Sequence, residues 1–377
     1  MSHLINYLTK IHFGQGASER LGEELDLLGI KSPLIVTDQG LIKSGVFDKF
    51  VVLSGLSNKF PVFDGTPANP TEVAVEEALN VLKDNNCDGV IAVGGGSSID
   101  LAKGVSLLAT HEQPLRQYSV VEGGAQLITA DTLPLVAVPT TAGTGSEVGR
   151  ASLITMRDKR KLGFLSPHLI PSVAICDPEL TLSLPPVLTA ATGMDAIAHC
   201  VETYLSPKYN PPAEAIALDG LGRASQYIRE AVNNGNNLKA REEMMMAALE
   251  GAMAFQKGLG AVHSLSHALG GFHELKLHHG TLNALLMPVV LRFNESYCED
   301  KYERIREVMN LSAGVDLGSA FEEINDTLGM PARLRDMGVS KDILDQVAQW
   351  AYEDHSTATN PRPANKDDFL QMLKDAF

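Results

Sequence analysis

Apolar positions in the first half of the chain come in short compact runs, separated by stretches with helical spacing. Lys31–Asp38 (KSPLIVTD), Gly89–Val93 (GVIAV), Leu135–Val138 and Ser172–Cys176 are such runs, and they predict buried strands. Thr71–Asn85 repeats its apolar residues at helical intervals with acids in the first turn, and Ser97–Ala109 predicts a second helix. This alternation predicts a largely parallel sheet covered by helices on both faces. The pattern changes at Leu180–Pro186 (LTLSLPP). Beyond it only helical periods remain: Val187–Leu205, Ala213–Asn233, Leu238–Lys257, Gly260–Gly270, Thr281–Asn294 and others to the end. Proline starts helices well and continues strands badly, so Pro185 and Pro186 set the expected boundary. The expectation is an α/β domain over residues 1–185 and an all-α domain over 186–377, with a ligand in the cleft between them.

Composition narrows the function classes. The 377 residues are 44% hydrophobic and 20% charged, an ordinary globular balance with length for a substantial core. A formal charge of −15 repels phosphate backbones and anionic lipid, which argues against a nucleic-acid or membrane partner. No apolar run is long enough to span a bilayer, and the first residues lack the pattern of a secretory leader. Cys87, Cys176, Cys200 and Cys298 are widely separated, which suits a reducing cytoplasm better than a disulfide framework or a thiolate zinc site.

Two loops carry candidate ligand chemistry. In DGVIAVGGGSSIDLAK a strand runs into Gly94, Gly95 and Gly96, and a helix starts at once. Ser97 stands where an N-cap belongs, with Asp100 three residues on as a capping-box partner. First-turn N–H groups backed by the helix dipole form an anion site, although a tight, well-capped turn has the same signature. The second loop, PTTAGTGSE after the Leu135–Val138 strand, offers hydroxyls and N–H groups where open α/β sheets bind ligands. Gly14-Gln15-Gly16-Ala17-Ser18-Glu19 resembles a dinucleotide fingerprint only loosely and reads as a turn. Asp38 ends a strand run, where a carboxylate either accepts from ribose hydroxyls, favouring NAD over NADP, or initiates a turn before Gln39-Gly40.

Five of the 11 histidines fall between His263 and His279. Asp195 and His199 in GMDAIAHCVE are four apart, as are His263 and His267 in GLGAVHSLSHALGG, so each pair shares a helix face. Both pairs sit in largely apolar stretches, where isolated charges are expensive unless paired or coordinated. A carboxylate with several imidazoles suits Fe²⁺ or Zn²⁺. Glu202, seven residues after Asp195 on the same face, is either a support for a ligand or a solvent-facing acid.

GGGSSID, PTTAGTGSEV, DPELTLSLPP, GMDAIAHCVE, GAVHSLSHALGG and HHGTLNALLMP, in this order, resemble the iron-containing (group III) alcohol dehydrogenase family over nearly the whole chain. The resemblance implies a nucleotide-binding α/β domain followed by a helical domain, the dehydroquinate synthase-like architecture, with a metal in the cleft. It implies NAD(P)-linked interconversion of small alcohols and aldehydes, and homodimers or larger homo-oligomers. Carried over by position, the metal ligands are Asp195, His199, His263 and His279, and His267 lines the active site beside the metal. Gly95, Gly96 and Ser97 match the pyrophosphate loop, and Thr140, Thr141 and Thr144 the second cofactor loop. Asp38 matches the adenosine-ribose acid, Lys161 a lysine near the nicotinamide ribose, and Leu180 an apolar cofactor contact. Two stretches depart from the family. Many members carry Pro-His-Gly at the last ligand after a shorter loop, whereas here His278 takes the proline position, so His278 competes with His279. Gly149-Arg150-Ala151 also replaces the usual residue after Ser-Glu-Val.

The chemistry so implied is hydride transfer at a carbon whose oxygen is polarised by Fe²⁺, or alternatively Zn²⁺, with a proton moving through water, the ribose hydroxyl or His267. An NAD- and metal-dependent lyase or cyclase of the dehydroquinate synthase type and a non-catalytic cofactor-binding protein are the competing classes. The ligand motif and the intact ligand set argue against them. Arg150, if it faces the substrate, would suit an anionic tail such as that of an ω-hydroxy acid or its semialdehyde; a surface arginine paired with an acid is the competing reading.

Overall fold

The computed structural model describes residues 9–56 and 59–377. The chain divides into two compact units, one of Leu8–Thr141 with Gly145–Leu184, the other containing Ala142–Thr144 and Pro185–Phe377.

Among the described residues the first unit has eight strands: β1 (Lys10–Phe13), β2 (Pro33–Val36), β3 (Val62–Phe63), β4 (Gly89–Gly94), β5 (Leu135–Pro139), β6 (Ala151–Thr155), β7 (Lys161–Leu165) and β8 (Val173–Cys176). Six of them form one sheet in the order β1-β8-β5-β4-β2-β3, and every pairing in it is parallel. β6 and β7 form a separate antiparallel hairpin. The helices are α1 (Leu21–Leu28), α2 (Gln39–Lys43), α3 (Val46–Ser54), α4 (Glu72–Asp84) and α5 (Gly96–Leu108).

The strand pattern explains why both faces are covered. Side chains alternate across a strand, and the central strands are apolar at every position. Leu34, Val36, Val90, Ala92, Leu135 and Ala137 join a core with α4 and α5. Their neighbours Ile35, Ile91, Val93, Val136 and Val138 join a second core with α1 and α3. The expected parallel sheet with helices on both faces is therefore present.

The second unit is helical: α6 (Pro186–Leu205), α7 (Pro211–Asn233), α8 (Leu238–Met253), α9 (Ala261–Gly270), α10 (His279–Asn294), α11 (Glu299–Val308), α12 (Leu317–Thr327), α13 (Leu344–Glu353) and α14 (Lys366–Asp375). Pro186 opens α6 at the position where a missing N–H costs nothing. Every residue of α6 from Gly193 to Leu205 is buried, because α7, α8 and α10 all pack on it. Gly280 permits the approach of α10: a Cβ there would lie 2.2 Å from the Ala191 carbonyl oxygen of α6. Among the described residues there is no strand beyond β8 and no helix long and apolar enough to cross a membrane.

One local expectation is corrected. Ser97 does not cap α5; the N-cap is Gly95, with no side-chain capping bond. Ser97 Oγ instead donates to the Ala68 carbonyl, and Asp100 is buried, accepting from Ser146 Oγ and from the Leu153 N–H at 3.0 Å. The capping-box spacing was present, but tertiary partners took both side chains.

Candidate metal centre

Three helices of the second unit bring one carboxylate and three imidazoles together. Asp195 Oδ1 lies 3.6 Å from His199 Nε2, 3.7 Å from His263 Nε2 and 3.6 Å from His279 Nε2. Asp195, His199 and His263 are at most 3% exposed. Ligand atoms of Asp195, His263 and His279 lie within 4.8 Å of one another, close enough for one cation to draw them together, and His199 approaches the same carboxylate from the next turn of α6. His278 is exposed at the N-cap of α10, while His279 turns inward.

The imidazoles are held from behind. His199 Nδ1 lies 3.2 Å from the Gly143 carbonyl and His263 Nδ1 lies 2.6 Å from Glu202 Oε2. Each contact takes the Nδ1 proton and leaves Nε2 facing Asp195 as a potential ligand. Glu202 also accepts from the N–H groups of Gly260 at 3.0 Å and Val262 at 2.7 Å, which open α9. Of the two readings of Glu202, the one as support for a histidine is what the geometry gives; the solvent-facing acid is excluded by its burial.

Electrostatics point the same way. Burial pushes the Asp195 carboxyl up, but His199, His279 and His263 outweigh it and hold it far below the ordinary carboxylate range. Burial draws His199 down to about 4. Burial opposes charge on His263 too, yet its bonds to Asp195 and Glu202 lift it to about 9. A concentrated buried anion with one imidazole disposed to stay neutral is a site that favours a cation.

His267 stands beside this cluster. Its ring stacks on His279 with centroids 5.5 Å apart, and its Nδ1 lies 3.1 Å from Asp354 Oδ2.

The first unit places several of the residues implied for a nucleotide after the carboxyl ends of adjacent strands. β2, β4 and β5 are adjacent and parallel. Asp38 follows the carboxyl end of β2, Gly95, Gly96 and Ser97 follow β4, and Thr140 and Thr141 follow β5. At Gly94 a Cβ would lie 2.4 Å from Ser98 Oγ, so only glycine lets the strand turn into α5 this tightly. The first-turn N–H groups of this 13-residue helix then face the loop. Asp38 is the N-cap of α2, with Oδ1 accepting from Gly40 at 2.8 Å and Leu41 at 3.0 Å. Lys161 opens β7 and donates to Asn69 Oδ1 at 3.3 Å, and Leu180 is buried in the core. Thr144 belongs to the helical unit. Gly14 and Gly16 form a turn with φ of 115° and 78°, as the sequence suggests. Arg150 is exposed.

The model of the iron-containing alcohol dehydrogenase family matches residues 9–178, and that of the family's C-terminal region matches residues 189–377. The chain belongs to the iron-containing alcohol dehydrogenase family. This member is an oxidoreductase, and it is 52% identical to a 4-hydroxybutyrate dehydrogenase of Cupriavidus necator over 99% of both chains. It is 39% identical to a 1,3-propanediol dehydrogenase of Klebsiella pneumoniae, covering 97% of this chain and 96% of that one. Among solved structures, a 1,3-propanediol oxidoreductase superposes with TM-score 0.93 at 37% identity over the whole of both chains. An alcohol dehydrogenase from Oenococcus oeni superposes with TM-score 0.92 at 32% identity, over 99% of this chain and all of that one.

Two residues of this alcohol dehydrogenase's site were not singled out from sequence. Asn283 Nδ2 is 2.7 Å from Asp195 Oδ1 and 3.2 Å from the Nε2 atoms of both His263 and His279. Its signal was available: it lies four residues after His279, the spacing of the other two pairs. Asp354 gave no such signal, because only the tertiary fold brings α13 to α9.

Proposed function

We propose that this enzyme interconverts a short ω-hydroxy acid, with 4-hydroxybutyrate as the first candidate, and its semialdehyde, using NAD. The single observation that carries the chemistry is the convergence of three imidazole nitrogens on the Asp195 carboxylate. The substrate reading is supported by the 52% identity to a 4-hydroxybutyrate dehydrogenase.

Asp195, His199, His263 and His279 would hold Fe²⁺, with Zn²⁺ the alternative. Such an ion supplies Lewis acidity toward the substrate oxygen. The chain's own residues do the rest. Glu202 and the Gly143 carbonyl fix the His263 and His199 tautomers. Asp354 engages Nδ1 of His267, so a proton exchanged with substrate is carried at Nε2. Gly95, Gly96 and Ser97 hold the pyrophosphate of NAD on the α5 N-terminus, and Thr140, Thr141 and Thr144 bind further along the cofactor. Asp38 retains Oδ2 for ribose hydroxyls, and its charge disfavours a 2′-phosphate. Lys161 serves the nicotinamide ribose, and Leu180 backs the cofactor through the core. The dinucleotide-binding domain is the first unit and the metal and substrate domain the second. The enzyme works in the cytoplasm, in keeping with four buried free cysteines, as a homodimer or larger homo-oligomer.

Initial rates with NAD and with NADP, on 4-hydroxybutyrate and on 1,3-propanediol, test this reading. The expected result is at least tenfold higher kcat/KM for NAD with 4-hydroxybutyrate. Equal rates on acid and diol would remove the substrate assignment.

A further inference from the structure

A second ligand cluster lies at the end of α13. Asp354 caps the turn His355–Thr359, its Oδ1 accepting from the Ser356 N–H at 2.8 Å. That bond fixes the carboxylate and leaves Oδ2 facing two imidazoles, with His267 Nδ1 at 3.1 Å and His355 Nδ1 at 3.6 Å. The two rings are nearly parallel, with centroids 5.7 Å apart and planes 18° apart. One ligand atom from each residue lies within 4.8 Å of the other two.

The two separations from Oδ2, 3.1 and 3.6 Å, are close to the roughly 3.0–3.5 Å between ligand atoms around an ion with bonds of about 2.1 Å, and the third pair lies within 4.8 Å. Two imidazoles with one carboxylate suit first-row divalent ions, whereas Mg²⁺ and Ca²⁺ prefer all-oxygen sites. An entry path exists as well. The side chains of His267 and Asp354 are 2% and 9% exposed, but that of His355 is 21% exposed.

We propose that His267, Asp354 and His355 form a second divalent-cation site, separate from the Asp195 cluster, that takes Zn²⁺ and acts as a brake. The binding stands on this geometry alone. The braking rests on the role proposed above for His267, because an ion on its Nδ1 displaces the proton that Asp354 holds there.

The test is equilibrium dialysis of the Fe²⁺-loaded enzyme against Zn²⁺, with Mg²⁺ as the comparison ion, alongside turnover. The expected result is one Zn²⁺ per chain beyond the first ion, no Mg²⁺, and falling turnover as Zn²⁺ binds. In His355→Ala the Zn²⁺ affinity and the inhibiting potency both drop at least tenfold, while turnover without added Zn²⁺ stays within twofold. Zn²⁺ uptake that is the same in His355→Ala, as from simple displacement of iron, overturns the site. Binding without slowing overturns the brake. Asp195→Asn separates this proposal from the catalytic one: it should lose the first ion and turnover yet keep the zinc that depends on His355. Zinc lost there as well means that the two sites are one, and overturns the proposal.

Discussion

Glu202 accepts from two N–H groups at the start of α9 and from the imidazole of His263, so one carboxylate both caps a helix and aims a ligand. Glu202→Gln keeps the shape but weakens the acceptor at His263. Metal affinity, read by competition with a chelator, should fall about 10–100-fold. An unchanged affinity would reduce Glu202 to a structural cap. His278 and His279 make a second comparison. His279→Ala should lose metal and turnover, whereas His278→Ala, at an exposed N-cap, should keep both within about threefold; metal analysis of the two variants decides between them. Local spacing made much of this site legible, since Asp195/His199 and His263/His267 are pairs on one helix face. Asp354 and the Gly143 carbonyl were not legible, because each acts through partners that only the tertiary fold supplies.

At the scale of elements, α5 does more than present a loop. Lys103 in its middle is fully buried and donates to Ser146 Oγ at 2.8 Å, the Gly149 carbonyl at 2.8 Å and the Ala151 carbonyl at 2.7 Å. These bonds tie the segment between β5 and β6 to the helix that follows the glycine loop. Glu147 in that segment is buried as well, and burial pushes its carboxyl up to about 7 against an ordinary 4.5. In the folded protein it therefore keeps a proton that the unfolded chain has already released. Its contribution to stability falls as pH rises from 4.5 to 7, and the full penalty stands above 7. Glu147→Gln should accordingly be more stable than the parent by about 1–3 kcal/mol at pH 8 and no more stable near pH 4.5. Denaturant melts at the two pH values check this, and a gain that did not depend on pH would contradict it. The β6–β7 hairpin escaped the sequence reading for a physical reason. ASLIT and KLGFL are five-residue strands that pair only with each other, and neither forms the continuous apolar run that marked β4 and β5. The four-residue β1 escaped likewise: its pairing with β8 lies some 160 positions away in sequence.

For the molecule as a whole, the periodicities separated a strand-and-helix half from an all-helical half, and the parallel sheet with two cores followed from strands apolar at every position. The strand order did not follow, since nothing local specifies that β1 joins β8 or that β3 lies at the far edge. The proposed function requires four side chains of α6, α9 and α10 to hold one ion for an NAD-linked oxidation. The most direct test is to strip the protein of metal, restore Fe²⁺ in measured steps without oxygen, and follow NADH formed from 4-hydroxybutyrate in the parent and in Asp195→Ala. The account predicts turnover that rises with bound iron, saturates at about one ion per chain, and is absent in the variant while NADH binding stays within about twofold. Full turnover by the stripped protein, or by Asp195→Ala, would contradict it.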